Sequence, residues 1–411
     1  MPLITLTILG LQPEQGAAEP PPAPRLPLPY TAWQWPNPTP AAPRPAQLAQ
    51  QPTHLIGKAL RYGRARAAQY PSPITCPDDP EARLLARFAP NAAAHESAAL
   101  ALLADLATDT ALKAALSQSH GLVAISRLAP AHLQAGTDHA VVMGARYLHL
   151  SAAEWQPLAQ DLNQWLKPDG LILITAASGR CYLGYTAAGA ARMGAHDLPP
   201  LGCALNRNAQ PLLEGDALRG MRRWLTELQM WLYAHPLNVH RAEQGRPELN
   251  SLWVWGRSRF DAQKIEAHLN LAPKPVPEFT PSPTAASAAL AEKHSAPLIY
   301  TDSAVLAGAL IRTTGAPPMR LAPNVTPQCD DLPERVLTGA QPLHLIWSEP
   351  AWCYLEGDIN GWQQSLDAIE HFVQALSAPN PTQTRLMLDD GLSRQWLPAR
   401  RGLARFWPFF R

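Results

Sequence analysis

Between Trp224 and Trp255 the chain reads WLTELQMWLYAHPLNVHRAEQGRPELNSLWVW, which sets many polar side chains among bulky aromatics. His235 follows a helix end, where the helix dipole favours an imidazolium, and Asn238, Arg241 and Glu243 sit on the short helix after it. Asn250 and Ser251 lead into a strand on which Trp253 and Trp255 share one side, with Leu252 and Val254 on the other. Two tryptophans side by side suit a stacking surface for a flat ligand. Glu227 and Gln229 lie two apart on a helix and cannot face the same way, whereas Glu227 and Trp231 share a face. Arg180 and Tyr182, on a strand nearby, can join the same group. Two readings fit these residues: a ligand site, or a helix–turn–helix–strand unit whose turn is locked by a buried polar network.

The elements that must position them follow from periodicity and caps. Leu218, Met221, Leu225, Leu228 and Leu232 fall at helical spacing within Asp216–Tyr233. Pro236 starts a second short helix and Gly245 ends it. Ser251–Trp255 is a strand. Upstream, Ser151 with Glu154 makes a capping-box pattern for a helix running to Leu166. Gly170–Thr175 and Arg180–Tyr185 read as neighbouring strands, Ala140–Leu150 as one or two more, and Gly121–Arg127 as a short one. Pro80–Ala89 and Ala92–Leu116 read as helices, and Leu3–Leu9 as a first buried strand. After the signature come Pro297–Thr301 (strand), Ser303–Thr313 (helix), Leu343–Ser348 (strand), Trp362–Leu376 (helix) and Arg385–Leu388 (strand). This alternation predicts an α/β fold with a largely parallel sheet flanked by helices.

The chain has 411 residues, 46% hydrophobic and 16% charged, so a sizeable core can be buried. A net charge of +1 gives no electrostatic case for nucleic acid or an anionic membrane. No apolar run reaches the ~18 residues of a membrane helix, and MPLITLTILGLQ lacks the basic start of a signal peptide. A cytoplasmic location follows as the expectation. The 44 prolines predict long irregular connections, chiefly a Pro-rich loop over 13–53 and a linker or excursion over 272–294. The organisation expected is an N-terminal and central part, 1–271, and a C-terminal part, 295–411, completing the same sheet. Cys76, Cys181, Cys203, Cys329 and Cys353 are scattered and form no CxxC pair, so five separate thiols are expected. Arg400–Arg411 (RRGLARFWPFFR) reads as a tail that docks its aromatics on the body or binds a partner.

The segment Glu227–Trp255 resembles the hallmark of an uncharacterised proteobacterial family whose members carry the labels RpfE-type regulatory protein or cofactor-independent phosphoglycerate mutase-like protein. The matching pieces are ELQM at Glu227–Met230, HPLN at His235–Asn238, Arg241–Gly245 and NSLWVWG at Asn250–Gly256. PAHLQAGTDH at Pro130–His139, RCYL at Arg180–Leu183 and the C-terminal LARFWPFFR agree. One departure is that Gly256 is followed by Arg257–Ser258, where the family has further glycines. The resemblance implies kinship with the alkaline phosphatase superfamily, whose chemistry needs two divalent metals held by Asp and His. The corresponding motifs are degenerate here. Asp358-Ile-Asn-Gly361-Trp362 has Trp where a ligand histidine belongs, and Leu388-Asp389-Asp390-Gly391 has Asp where another belongs.

The expected function is therefore a non-catalytic, phosphoglycerate-mutase-like protein with a regulatory or small-ligand-binding role and no cofactor. Its partner is an unidentified small molecule or protein. The alternatives are an enzyme acting on a phosphorylated or nucleotide-like substrate around His235, Asn238 and Arg241, and a protein-interaction module.

Overall fold

The computed structural model describes residues 3–8, 64–67, 79–92, 96–118, 121–137, 139–270, 298–314, 319–320, 336, 343–377, 385–389 and 394–397. The Pro-rich loop, the 272–294 segment, Asp138, Asp390 and the C-terminal tail lie outside the described residues.

Two sheets are formed by the described residues. In the first, β1 (Leu3–Ile8) lies between β10 (Leu343–Trp347) and β11 (Arg385–Asp389), parallel to both. Beyond β10 stand β8 (Leu298–Thr301) and β9 (Met319–Arg320), again parallel. Beyond β11, β12 (Arg394–Leu397) and β2 (Arg64–Ala67) close that edge antiparallel. The opening strand is thus paired on both sides by strands from the C-terminal part of the chain.

The second sheet is antiparallel throughout: β4 (Ala140–Met143), β3 (Leu122–Ala135), β6 (Cys181–Thr186) and β5 (Leu171–Thr175) in that order, with β7 (Ser251–Arg259) also on β3. Six of the ten strand pairings among the described residues are antiparallel. The expectation of one largely parallel sheet is thereby corrected. The fold is mixed α/β with helices flanking the sheets, and the signature strand belongs to the antiparallel one.

The reason lies in β3, which is twice the expected length. Its pairing with β6 ends at Leu128 and its pairing with β4 begins at His132. Pro130 falls in that gap, where the missing N–H of proline costs no ladder bond. Ala140–Leu150 is likewise only one short strand, followed by a turn of helix at Ala145–Leu148. The helix expected over Ala92–Leu116 breaks into Ser97–Leu106 and Thr110–Gln118. Asp109 lies between the two and starts the second, its carboxylate accepting from Leu112 N at 2.8 Å.

The Ser97–Leu106 helix ties the sheets together. It is apolar nearly all round and buried, as a helix covered on every side must be. On one side Ser258 of β7 accepts from its Ala99 N. On the other it crosses the Ala304–Thr314 helix so closely that a Cβ at Gly308 would collide with the Leu100 carbonyl oxygen. Cys181 and Cys353 are buried free thiols, but Cys203 is disulfide-bonded, which corrects the expectation of five separate thiols. No helix among the described residues is long and apolar enough to cross a membrane.

Candidate functional site

The signature segment forms the expected unit: a helix over Arg219–Tyr233, a second over Pro236–Glu243, and β7. Met221, Trp224, Leu225, Leu228 and Leu232 are its buried face. His235 caps the second helix, its Nδ1 accepting from Leu237 N at 3.2 Å. Its Nε2 lies 3.3 Å from Asp161 Oδ2. The imidazole packs on Trp231, centroids 5.0 Å apart, and Trp231 stacks on Trp165 at 5.6 Å.

Asn238 is buried, and its whole amide serves the backbone. Nδ2 donates to the Leu232 and Leu249 carbonyls, and Oδ1 accepts from Leu249 N. Arg241 is 0% exposed. Its Nε donates to Pro247 O at 2.8 Å, Nη1 to Glu154 Oε1 at 2.6 Å, and Nη2 to Leu148 O. Glu154 also takes Arg246 and completes the capping box with Ser151. Burial pushes the Glu154 carboxyl up, but the Ser151 amide and hydroxyl together with Arg246 and Arg241 outweigh it and hold it at about 2. Asn250 imitates a strand residue, exchanging both hydrogen bonds with Leu133.

The two strand tryptophans are covered. Trp253 is 1% and Trp255 4% exposed. Trp253 Nε1 donates to Pro199 O at 2.9 Å, and the Arg127 guanidinium lies 4.7 Å over Trp255. Ser251 is buried as well. No stacking surface for a ligand is therefore open on β7, a correction with a simple cause: the strand is buried on both faces. Glu227 and Gln229 lie on the first helix of the unit and make no bond to the Asn238 and Arg241 network. Glu227 sits on the outer face between Arg192 at 2.6 Å and Arg223 at 2.9 Å. Arg180 and Tyr182 are on the other side of the sheet. Both bind Asp105, Arg180 through two nitrogens at 2.6 and 3.0 Å and Tyr182 through its hydroxyl at 2.5 Å. Arg257 pairs with Asp197 at 2.9 Å and lies 4.2 Å over Tyr185.

A second cluster lies at the carboxyl ends of the parallel strands, where open α/β sheets place ligands. Asp302, just past β8, accepts from Ser348 N, Ser348 Oγ and Glu349 N, just past β10, at 2.7–2.9 Å. Burial pushes Asp302 up to about 6, although those amides pull it down. Glu349, Glu356 and Asp358 converge on Arg146 from the other sheet. Its Nη2 reaches Glu349 at 2.5 Å, its backbone N–H reaches Glu356 at 2.8 Å, and its Nη1 reaches Asp358 at 3.4 Å. Asp358 also caps the Ile359–Ser377 helix through Gly361 N. Burial raises Glu356 above the usual carboxylate range against the pull of Arg146.

The metal pair implied by the resemblance does not fit these residues, because a guanidinium already takes the carboxylates. Among the described residues no three His, Cys, Asp or Glu side chains are arranged to hold a metal ion. The backbone of Asp389 ends β11; its side chain lies outside the described residues. Neither Arg146 nor Glu349 nor Glu356 stood out in the sequence. Arg146 and Glu349 are 203 residues apart, and no local spacing marks them.

The chain matches no protein-family model and no curated protein. Among solved structures it is similar to the cofactor-independent phosphoglycerate mutase from Thermoplasma acidophilum DSM 1728, at 16% identity and TM-score 0.33 over 96% of this chain and 89% of that one. It is also similar to the PH0037 protein from Pyrococcus horikoshii, at 12% identity and TM-score 0.37 over 97% of this chain and 87% of that one. At these values the likenesses assign no reaction and no site residue.

Proposed function

We propose that the chain is a non-catalytic, phosphoglycerate-mutase-like protein that binds a small ligand in a regulatory role. The observation that carries the reading is Arg146. It presents a permanent positive charge to Glu349, Glu356 and Asp358 beyond the carboxyl ends of the parallel strands, and Asp358 belongs to one of the degenerate metal motifs of the sequence. A guanidinium neutralises carboxylates but cannot ionise a water or take a phosphate oxygen into its coordination shell. The engagement of Asn238 and Arg241 with backbone carbonyls supports the same reading, since a catalytic pair needs atoms free for substrate.

The test is turnover of phenyl phosphate by the full chain with magnesium, manganese or zinc added, alongside metal analysis of the purified protein. The expected result is phenol release no faster than in buffer, unchanged in Asp358→Asn. Two tightly bound metals per chain with turnover that Asp358→Asn abolishes would overturn the proposal.

A further inference from the structure

A cleft of about 630 Å³ opens beside the hairpin turn that joins β3 to β4. That is within the range of small-molecule sites, roughly 300–1,000 Å³. Three separate stretches wall it. Leu133 and His139 come from the hairpin, Leu213 and Glu214 from the turn after the Ala209–Leu212 helix, and Arg222 from the first turn of the signature helix. The His139 ring lies flat over Gly136; a Cβ there would stand 2.8 Å from its Cε1.

Arg222 is the decisive group. Its Nη1 donates to the carbonyls of Leu213 and Gly215, both at 2.6 Å. These bonds fix the guanidinium against the wall without cancelling its charge. Arg127, Arg146, Arg180, Arg192, Arg241 and Arg257 each sit on a carboxylate. Among the described residues no carboxylate pairs with Arg222, and its Nε and Nη2 make no hydrogen bond. A positioned guanidinium that meets no carboxylate among the described residues, in one cleft with an imidazole and an apolar wall, is a receptor for an anion on an apolar body. Glu214, exposed at the same cleft, opposes a second negative charge.

We propose that this cleft is a ligand site for a small organic anion, a carboxylate or a phosphate carried on a ring-sized apolar group, with Arg222 as its anchor. The proposal rests on the ligand-binding reading above, and it adds the place and the chemistry of the ligand.

Calorimetric titration of the full chain with benzoate, phenyl phosphate and inorganic phosphate tests it. The two aromatic anions are expected to bind at millimolar concentration or below, and to bind more tightly than inorganic phosphate. The ratio of benzoate to phenyl phosphate affinity tells a carboxylate site from a phosphate site. Arg222→Gln is expected to weaken binding about tenfold or more, the loss of a charge-assisted contact. Glu214→Gln is expected to tighten it several-fold. Gln210→Trp, from an exposed position on the cleft wall, is expected to block it. Because Arg222 also holds the 213–215 turn, Arg222→Lys is the control: it keeps the charge and should retain binding within a few-fold. No heat with any probe, or affinity in Arg222→Gln and Gln210→Trp equal to that of the parent chain, would overturn the proposal. Inorganic phosphate binding as well as phenyl phosphate would overturn its apolar half. Phenol release in the same cell would instead sink the non-catalytic reading and leave the cleft assignment standing.

Discussion

Two arginine-centred clusters hold this molecule together, and they are built on opposite principles. Arg241 is fully buried, and its donors meet one carboxylate and two carbonyls. Arg146 is partly exposed and faces three carboxylates, two of them on the Glu349–Leu355 helix and the turn after it. The first cluster gives each guanidinium nitrogen of Arg241 a partner, because buried charge is tolerated only when paired and hydrogen-bonded. The second carries excess negative charge, which the fold relieves by holding Glu356 above the usual carboxylate range. The first locks one unit to itself; the second joins the two sheets. A network that satisfies every donor does structural work, and the network left unbalanced is where the fold still responds to its surroundings.

The largest expected effect breaks the buried cluster. Arg241→Met leaves the Leu148 and Pro247 carbonyls without their donor and Glu154 with Arg246 and Ser151 only. A loss of about 2–4 kcal/mol is expected, the cost of two stranded acceptors. Denaturant unfolding should show it as a lower midpoint, and a midpoint unmoved by the change would mean the lock contributes nothing.

A smaller and pH-dependent effect is expected in the unbalanced cluster. A carboxylate whose folded pKa is raised, such as Glu356, contributes its stability at low pH and loses it as pH rises through the folded value. Arg146→Gln removes the charge that restrains that rise. Its deficit relative to the parent chain should therefore be about 1–3 kcal/mol near pH 8 and shrink towards pH 5. Glu154, held at about 2, has the opposite sign. Its contribution is present above the ordinary glutamate value and is lost as pH falls towards 2. Thermal melts across pH 3–8 would separate the two, and a deficit in Arg146→Gln that grows on acidification would contradict the comparison.

The smallest effect concerns the cap that supports Glu154. Ser151→Ala should cost about 1 kcal/mol, visible as faster amide exchange confined to the first turn of the Ala152–Leu166 helix. Protection unchanged there would show that Arg241 and Arg246 alone position the carboxylate.

Much of this was legible from the chain itself, and the legible parts share a range. The Ser151–Glu154 box, the helical spacing of Met221, Leu225, Leu228 and Leu232, and the Pro236 start with its Gly245 stop all depend on neighbours within a few residues. Such contacts are written in local order. The burial of Trp253 and Trp255, the running of β3 past Pro130 and the antiparallel second sheet are not. They depend on which strands arrive on each side, and alternation along β7 reads the same whether one face or both are covered. The reading of Asn238 and Arg241 as a locked turn was open in the sequence beside the ligand reading; only the folded chain shows their partners to be backbone groups and, for Arg241, also Glu154.

Local order alone thus determined the two signature helices, the Ser151 cap and most strand positions, because a turn of helix or a cap closes within four residues. Tertiary structure decided the sheet pairing, the partners of Arg241 and Arg146, and the seating of Arg222 on the 213–215 turn. Charges that meet across some two hundred residues, as Arg146 and Glu349 do, leave no periodic trace, and electrostatic balance is settled only when the chain has closed on itself.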